Sequence, residues 1–300
     1  MIKRTDLALE AKEIWDEEAA DKTKLTGVEA LTTQKNGYTV TTVRILDERG
    51  AEELCKPMGT YVTVELDAYL RREESAFTRG AEAIASELRD VLKLRSGDSV
   101  LVAALGNPAI TPDSIGPKTA RATMVTRHLP EQVPEHFADW RRVSVIETGV
   151  LGTTGMETAE LIKAVCEKLR PDCVIAVDAL ASRRVSRVCR TVQISDTGIV
   201  PGSGVGNSRG ALNKESIGVP VIAVGVPTVV DAATLAADLA ESAGIDGIDD
   251  DKLRAAGVGM IVTPKEIDVR SGDISKLVAY GINLALHEGL AIEDIDMFVG

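Results

Sequence analysis

The chain has 300 residues, 44% hydrophobic and 27% charged, the balance of a globular protein rather than of a disordered, collagenous or disulfide-stapled one. Its 34 basic against 46 acidic residues leave a formal charge of −12, which opposes direct nucleic-acid binding, since a polyanion needs a clustered basic face. Three Phe, two Trp and four Tyr stand among many aliphatics and 26 Gly, a composition of closely packed strands and helices, in a length that admits either two domains of roughly 150 residues or one large α/β domain.

The N-terminus passes at once into charged residues and lacks the apolar centre of a signal peptide. The longest apolar stretches, 99–106 and 219–230, fall short of the roughly 18 residues that a membrane helix needs, so no membrane span is expected. Cys55, Cys166, Cys173 and Cys189 lie far apart in apolar segments without a C-x-x-C pair, which predicts buried, reduced thiols and a cytoplasmic chain.

Residues 38–48 and 60–67 alternate with β-branched residues and predict two strands joined by a charged loop, a hairpin or sheet edge. From 74 to 94, Phe77, Ala81, Ile84, Leu88 and Val91 recur at helical spacing. After the turn at 96–98, Val100 to Leu105 is continuously apolar, as in a strand covered on both faces. The unit then repeats. A strand at 143–147 precedes a helix striped by Leu161, Ile162, Val165, Cys166 and Leu169, with capping-box spacing at Thr154 and Glu157. A strand at 173–177 ends at Asp178 and leads into a helical segment from Ala179 to about Val188. Strands at 219–225 and 258–263 are followed by helices near 231–242 and 275–288, and Thr197–Gly210 and Gly244–Asp251 are loops. This alternation predicts a three-layer α/β/α fold: one catalytic domain with a mostly parallel sheet and a small N-terminal β-rich addition.

In such a sheet ligands gather at the carboxyl ends of the strands. Asp113 lies just beyond the strand 100–105, and Asp178 closes the strand 173–177. If those strands are neighbours, about 4.8 Å apart, the two carboxylates face each other. One of such a pair keeps its proton, so the two can activate water and protonate a leaving group. The competing reading makes each aspartate the N-cap of the following helix, which suits Asp113 before Ser114 better than Asp178 at the end of an apolar run. No nucleophile elbow, H-E-x-x-H helix or P-loop is present. The Gly202-x-Gly204-x-Gly206 run sits in a loop and reads as a backbone surface against which an extended segment can lie, and His128, His136 and His287 read as structural or solvated.

Gly106-Asn107 followed by Thr111-Pro112-Asp113-Ser114-Ile115-Gly116-Pro117 resembles the G-N-x-x-x-T-P-D-x-x-G-P motif of the germination protease family of spore-forming bacteria. Thr126-Arg127-His128, Gly152–Thr158, Asp178–Ala181, Gln193–Gly198, Pro201–Asn207, Pro227–Ala232 and Val262–Glu266 match further family segments in order, over nearly the whole chain. The resemblance implies an endopeptidase of the spore core that cleaves small acid-soluble spore proteins during germination, after Glu or Asp and before a hydrophobic residue and Ala. It also implies a homotetramer and a relation to hydrogenase maturation peptidases, with a phosphorylase/hydrolase-like fold. Asp113 and Asp178 match the pair proposed as catalytic in the family. Because the relatives use a metal at a comparable site, the resemblance leaves both an aspartic dyad without a cofactor and a divalent metal open, with the metal ligands unknown. It further implies a self-processing zymogen, and Thr5-Asp6-Leu7-Ala8 fits the preference, placing the cut between Asp6 and Leu7, with 1–6 as pro-segment and 7–300 as the catalytic domain. The segment before Asp6 and the connection from Ala232 to Val262 are shorter than the family pattern. The rival readings are a metal-dependent maturation peptidase and a binding member of the fold without activity.

Overall fold

A computed structural model describes residues 5–18, 25–206, 209–245 and 259–299, with Lys252 and Ala255 between the last two stretches. Nine strands among the described residues form a single sheet: β1 (Val28–Lys35), β2 (Tyr38–Ile45), β3 (Gly59–Glu65), β4 (Val100–Leu105), β5 (Val143–Gly149), β6 (Cys173–Ser182), β7 (Thr191–Ser195), β8 (Val221–Asp231) and β9 (Ile261–Val262). The order is β1-β2-β3-β7-β8-β6-β4-β5, with β9 on β8. The α/β class stands, and the sheet is mixed. Strands β5, β4, β6 and β8 are parallel neighbours, while β7, β3, β2 and β1 extend the sheet through antiparallel pairs. Chain length explains the switch, because residues 183–190 between β6 and β7 are too few for a parallel crossover, which takes about a dozen residues or more.

Helices cover both faces. On one face α3 (Ala76–Leu92), α4 (Ile115–Arg121) and α7 (Ile267–Leu286) close over a core that includes Val102, Ile175, Val177, Ile194, Val224 and Val226. A Cβ on Gly281 of α7 would lie 2.5 Å from Ile84 of α3, so glycine is what lets these helices touch. On the other face α5 (Thr158–Leu169) packs Ile162 and Cys166 on Leu101, Ala103, Val174 and Ala176. Further along, α1 (Ala8–Glu18) and α2 (Glu48–Leu54) cover Val43, Ile45 and Tyr61. Each fully buried aliphatic side chain contributes roughly 1.5–3 kcal/mol, so an aromatic-poor chain can still be held by its strands. After β8 come α6 (Ala232–Ser242), capped by Asp231, and finally α8 (Ile292–Val299).

Several predicted elements shift. The charged loop after β2 is the helix α2, capped by Asp47 accepting from the Gly50 amide at 2.9 Å, and Cys55 beyond it is exposed where a buried thiol is expected; the other three cysteines are buried. The capping box at Thr154 is unused, because a short helical turn at Leu151–Thr154 intervenes and α5 starts at Thr158. Helix α7 begins eight residues before the predicted start at 275, because its first turns bury serines: Ser271 accepts from Lys118 Nζ at 2.6 Å and Ser275 donates to the Ile115 carbonyl at 3.2 Å. Most of the acidic stretch 244–251 lies outside the described residues.

The largest departure is β6, which does not stop at Asp178 or turn into a helix. It runs on to Ser182 in parallel register with β8, where Ser182 faces Val230. Beyond it Arg183, Arg184 and Arg187 meet the acidic face of α1. Glu10, only 1% exposed, accepts from the Arg183 and Arg184 amides at 2.6 and 3.0 Å and pairs with Arg187 at 3.3 Å. Glu13 and Glu17 pair with Arg187 and Arg183 at 2.6 and 2.7 Å. Removing one member of a buried ion pair strands the others, at about 3–5 kcal/mol. Glu10→Ala is therefore expected to lower unfolding stability by that amount in urea or guanidinium titration, against less than about 1 kcal/mol for Asp16→Ala, which breaks only the exposed pair with Lys12.

Candidate active site

Strands β4 and β6 are direct neighbours, with Ala104 opposite Val177. This brings Asp113 and Asp178 to one cavity of about 370 Å³, lined also by Gly106, Pro112, Gly149–Gly152, Pro201 and Thr228. Neither aspartate caps a helix. Asp113 closes a short 3-10 turn at Thr111–Asp113, and its carboxylate folds back to accept from the Asn107 amide at 2.9 Å. Gly106, at φ +111°, permits this: a Cβ there would lie 2.1 Å from the Asp113 carbonyl. Gly116 seats the following helix directly on the strand ends, since its Cβ would meet the Leu105 and Val177 carbonyls at 2.1 and 2.7 Å.

Asp178 lies within β6, is 5% exposed, and accepts from its neighbour's amide, Ala179 N, at 2.8 Å. Burial raises its carboxyl well above the ordinary 3.8, and the charge of Asp113 adds to the rise. Burial also raises Asp113, while the Asn107 amide opposes that shift by favouring the ionised form. The pair is thus unequal: Asp178 holds a proton more tightly than Asp113 does. A water between them would meet one group suited to accept a proton and one suited to donate it.

Asp6 occupies the same cavity. Its amide donates to the Ala181 carbonyl at 2.9 Å, and its carboxylate accepts from Ala181 N at 2.8 Å and from Ser203 Oγ at 2.6 Å. The glycine run makes room for it, since a Cβ on Gly204 would lie 2.3 Å from Asp6 Oδ2; what lies against that loop is the side chain of Asp6, at a bend of the chain. The Asp6 carbonyl accepts from Lys56 Nζ at 3.1 Å and from Gln193 Nε2 at 3.2 Å, and Gln193 Oε1 accepts from the Ala8 amide at 2.9 Å. Leu7 is fully buried. Past Asp6 a second cavity of about 230 Å³ opens, lined by Lys56, Tyr61, Gln193, Ser195 and Thr197, so the segment at Asp6 lies between two halves of one cleft.

Lys56, Gln193 and Ser203 take no role in the sequence reading. Gln193 carries the one usable signal, a polar residue 7% exposed between the core residues Val192 and Ile194. The histidines lie outside the cavity. His287 is buried near Trp140, ring centroids 5.1 Å apart, and burial pushes its imidazole down to about 4, which fits a structural role. Among the described residues no three His, Cys, Asp or Glu side chains are grouped as a metal shell, and the carboxylate of Asp6 is already engaged by Ala181 and Ser203. This donor set does not fit a resident cation. No helix among the described residues is long and apolar enough to cross a membrane.

The sequence model of the germination proteases, peptidase A25, matches residues 8–243. The germination protease of Caldanaerobacter subterraneus is 41% identical, with 99% of this chain and 98% of that protein aligned. That of Clostridium tetani is 41% identical over the full length of both, and that of Bacillus pumilus 36% identical over 98% and 96%. Among solved structures, a NiFe hydrogenase maturation protease from Thermococcus kodakarensis aligns with 65% of this chain and 98% of its own at 19% identity, with a TM-score of 0.35.

Because Asp178 has a raised pKa in the fold, it is more easily protonated folded than unfolded. Its ionisation therefore opposes folding above pH 3.8 and has no effect below it. Asp178→Asn, which keeps the shape without the charge, is expected to raise the melting temperature at pH 7, by about 2–4 °C per kcal/mol released. The gain should vanish as pH falls toward 4 in calorimetric scans; an unchanged or lowered Tm at pH 7 would contradict a carboxyl held against its charge.

Proposed function

The chain belongs to the germination protease family, and from that membership we propose that it is the endopeptidase that opens the breakdown of small acid-soluble spore proteins in the spore core, working through an aspartic dyad. One observation carries the reading: an acidic residue of the chain's own N-terminus, Asp6, is hydrogen-bonded through its amide and its carboxylate to Ala181 of β6 in the cavity that holds Asp113 and Asp178. An extended peptide with an acidic side chain before the cut would use the same contacts, its main chain pairing with Ala181 and its carboxylate meeting Ser203 Oγ and Ala181 N. Asp6-Leu7-Ala8 is then the first substrate, and the chain matures by cutting itself after Asp6.

In this mechanism Asp113, the more readily ionised of the pair, takes a proton from water as the water oxygen attacks the carbonyl carbon before the cut. Asp178 gives its proton to the leaving nitrogen, and the pair exchanges roles. No step uses a metal, in keeping with the donor set of the cavity. The negative charge of the chain suits a substrate approached through its protein part alone, although that substrate coats DNA.

Incubation of the purified chain is expected to yield a new N-terminus at Leu7 by mass spectrometry. Asp113→Asn or Asp178→Asn should slow both this cut and the degradation of an acid-soluble spore protein by about 10²–10⁴-fold. Near wild-type turnover in either variant would remove the dyad. Exhaustive chelation followed by elemental analysis is expected to leave activity intact in the metal-free protein, whereas loss restored by a divalent cation would replace the aspartic mechanism with a metal-assisted one.

A further inference from the structure

Gln193 and Asp178 sit in one row across three strands. Gln193 faces Gly225 on β8 from one side, and Asp178 faces the same glycine from the other. At sheet spacing their Cα atoms are roughly 10 Å apart. Their neighbours Val192, Ile194 and Val177 point into the core beneath α3 and α7, so both side chains rise on the opposite face, the one crossed by the Asp6 segment. Gly225 leaves the middle of the row bare, and the Leu180 side chain fills the gap, 2.3 Å from where a Cβ would be. The Asp6 peptide is therefore flanked by two kinds of group. The carboxyls of the dyad share a cavity with the Asp6 side chain, and on the far side its carbonyl oxygen receives two donors, Lys56 Nζ at 3.1 Å and Gln193 Nε2 at 3.2 Å. The orientation of the Gln193 amide is fixed by Ala8, whose N–H takes its oxygen.

We propose that Lys56 and Gln193 form the oxyanion site of this enzyme, holding the carbonyl before the cut and stabilising the charge that develops on it. The inference rests on reading Asp6–Leu7 as a bond the enzyme cleaves. When the water oxygen bonds to the Asp6 carbonyl carbon, the carbonyl π pair moves onto the oxygen, where the N–H donors of Lys56 Nζ and Gln193 Nε2 face it. When the C–N bond breaks, that pair returns to re-form C=O while Asp178 protonates the Leu7 nitrogen. The water is consumed as OH on Asp6 and H on Leu7. Donors already in place for the oxygen contribute most at this point. Lys56 comes from the connection between α2 and β3 and Gln193 from β7, so the antiparallel extension of the sheet supplies half of the catalytic site. Lys56 also donates to the Thr5 carbonyl at 3.0 Å. A role confined to tethering the N-terminal segment is therefore the competing explanation that the test must separate.

The test has two readouts. On a peptide carrying Asp-Leu-Ala, Lys56→Met and Gln193→Glu should each lower kcat by about 10²–10³-fold with KM changed little. Gln193→Glu keeps the acceptor for Ala8, removes the donor to Asp6 and sets a carboxyl group beside the carbonyl oxygen. A rise in KM with kcat preserved would mark these residues as tethers and overturn the inference. The second readout needs no turnover. In the full chain carrying Asp178→Asn, which keeps the N-terminus uncut, labelling with 13C-carbonyl Asp and 15N-Leu singles out two peptide bonds, Asp6–Leu7 and Asp238–Leu239, the second serving as internal reference. Lys56→Met should move the Asp6 carbonyl resonance upfield and leave that of Asp238 in place; an unmoved Asp6 signal in a folded variant overturns the inference even where cutting persists. If instead the wild-type chain cuts nothing and matches Asp178→Asn in every assay while the carbonyl shift is present, the protease reading fails and the carbonyl contact stands.

Discussion

The site depends on one constraint, that β6 is paired in parallel with β4 up to Val177 and with β8 on through Ser182. The β8 ladder holds it straight past Val177 and carries Asp178 into the sheet, while its other edge from Asp178 onward is left open by β4. Burial in that position, with the charge of the neighbouring Asp113 added, raises its carboxyl well above the ordinary value. The hydrogen-bonding demand of a strand thus sets the acid–base chemistry of the cleft, and the same rigidity fixes where the second carboxyl must be. Gly106 and Gly116 let the Asp113 loop close onto the strand ends without side chains in the way.

The continuation of β6 also provides the ladder on which the N-terminal segment lies. Ala181 pairs with Asp6, and just beyond it the arginines of residues 183–187 receive the glutamates of α1. Helix α1 is therefore held by charge at one end of the strand, and the residues before it are drawn across the cleft. Exposed ion pairs contribute little, but this set surrounds a nearly inaccessible Glu10 and an Arg183 that is 2% exposed. For the proposed self-cleavage this presentation matters, because holding the reacting groups in place converts a bimolecular encounter into an intramolecular step.

How far the site could be read from the sequence varied with the kind of signal. Strand β4 and helices α3 and α5 follow from runs and stripes that only a buried strand or an amphipathic helix makes. The dyad follows from acidic residues at the ends of such runs. Strand β1 has no such mark, because six of its eight residues are exposed at the sheet edge and no face is buried. The strand after Asp178 reads as helix, since Ala179–Ala181 is short, apolar and followed by arginines, and nothing in that stretch reveals that β8 is long enough to pair with it. The serines of α7 interrupt its apolar stripe because they are buried against polar groups of α4. Lys56 and Gln193 come to one carbonyl oxygen from positions 137 residues apart, a meeting that no local pattern encodes.

By itself the sequence determined the class of fold, the order of its central strands and helices, and which two carboxylates stand at strand ends, because these follow from residue periodicity and from where apolar runs stop. The tertiary structure alone decided the rest. It made the sheet mixed through a connection too short for a crossover, raised the Asp178 carboxyl by burying it beside Asp113, and laid Asp6 across the cleft with two donors on its carbonyl. Each of these depends on strand neighbours and on desolvation, which are properties of the packed chain and not of any segment within it.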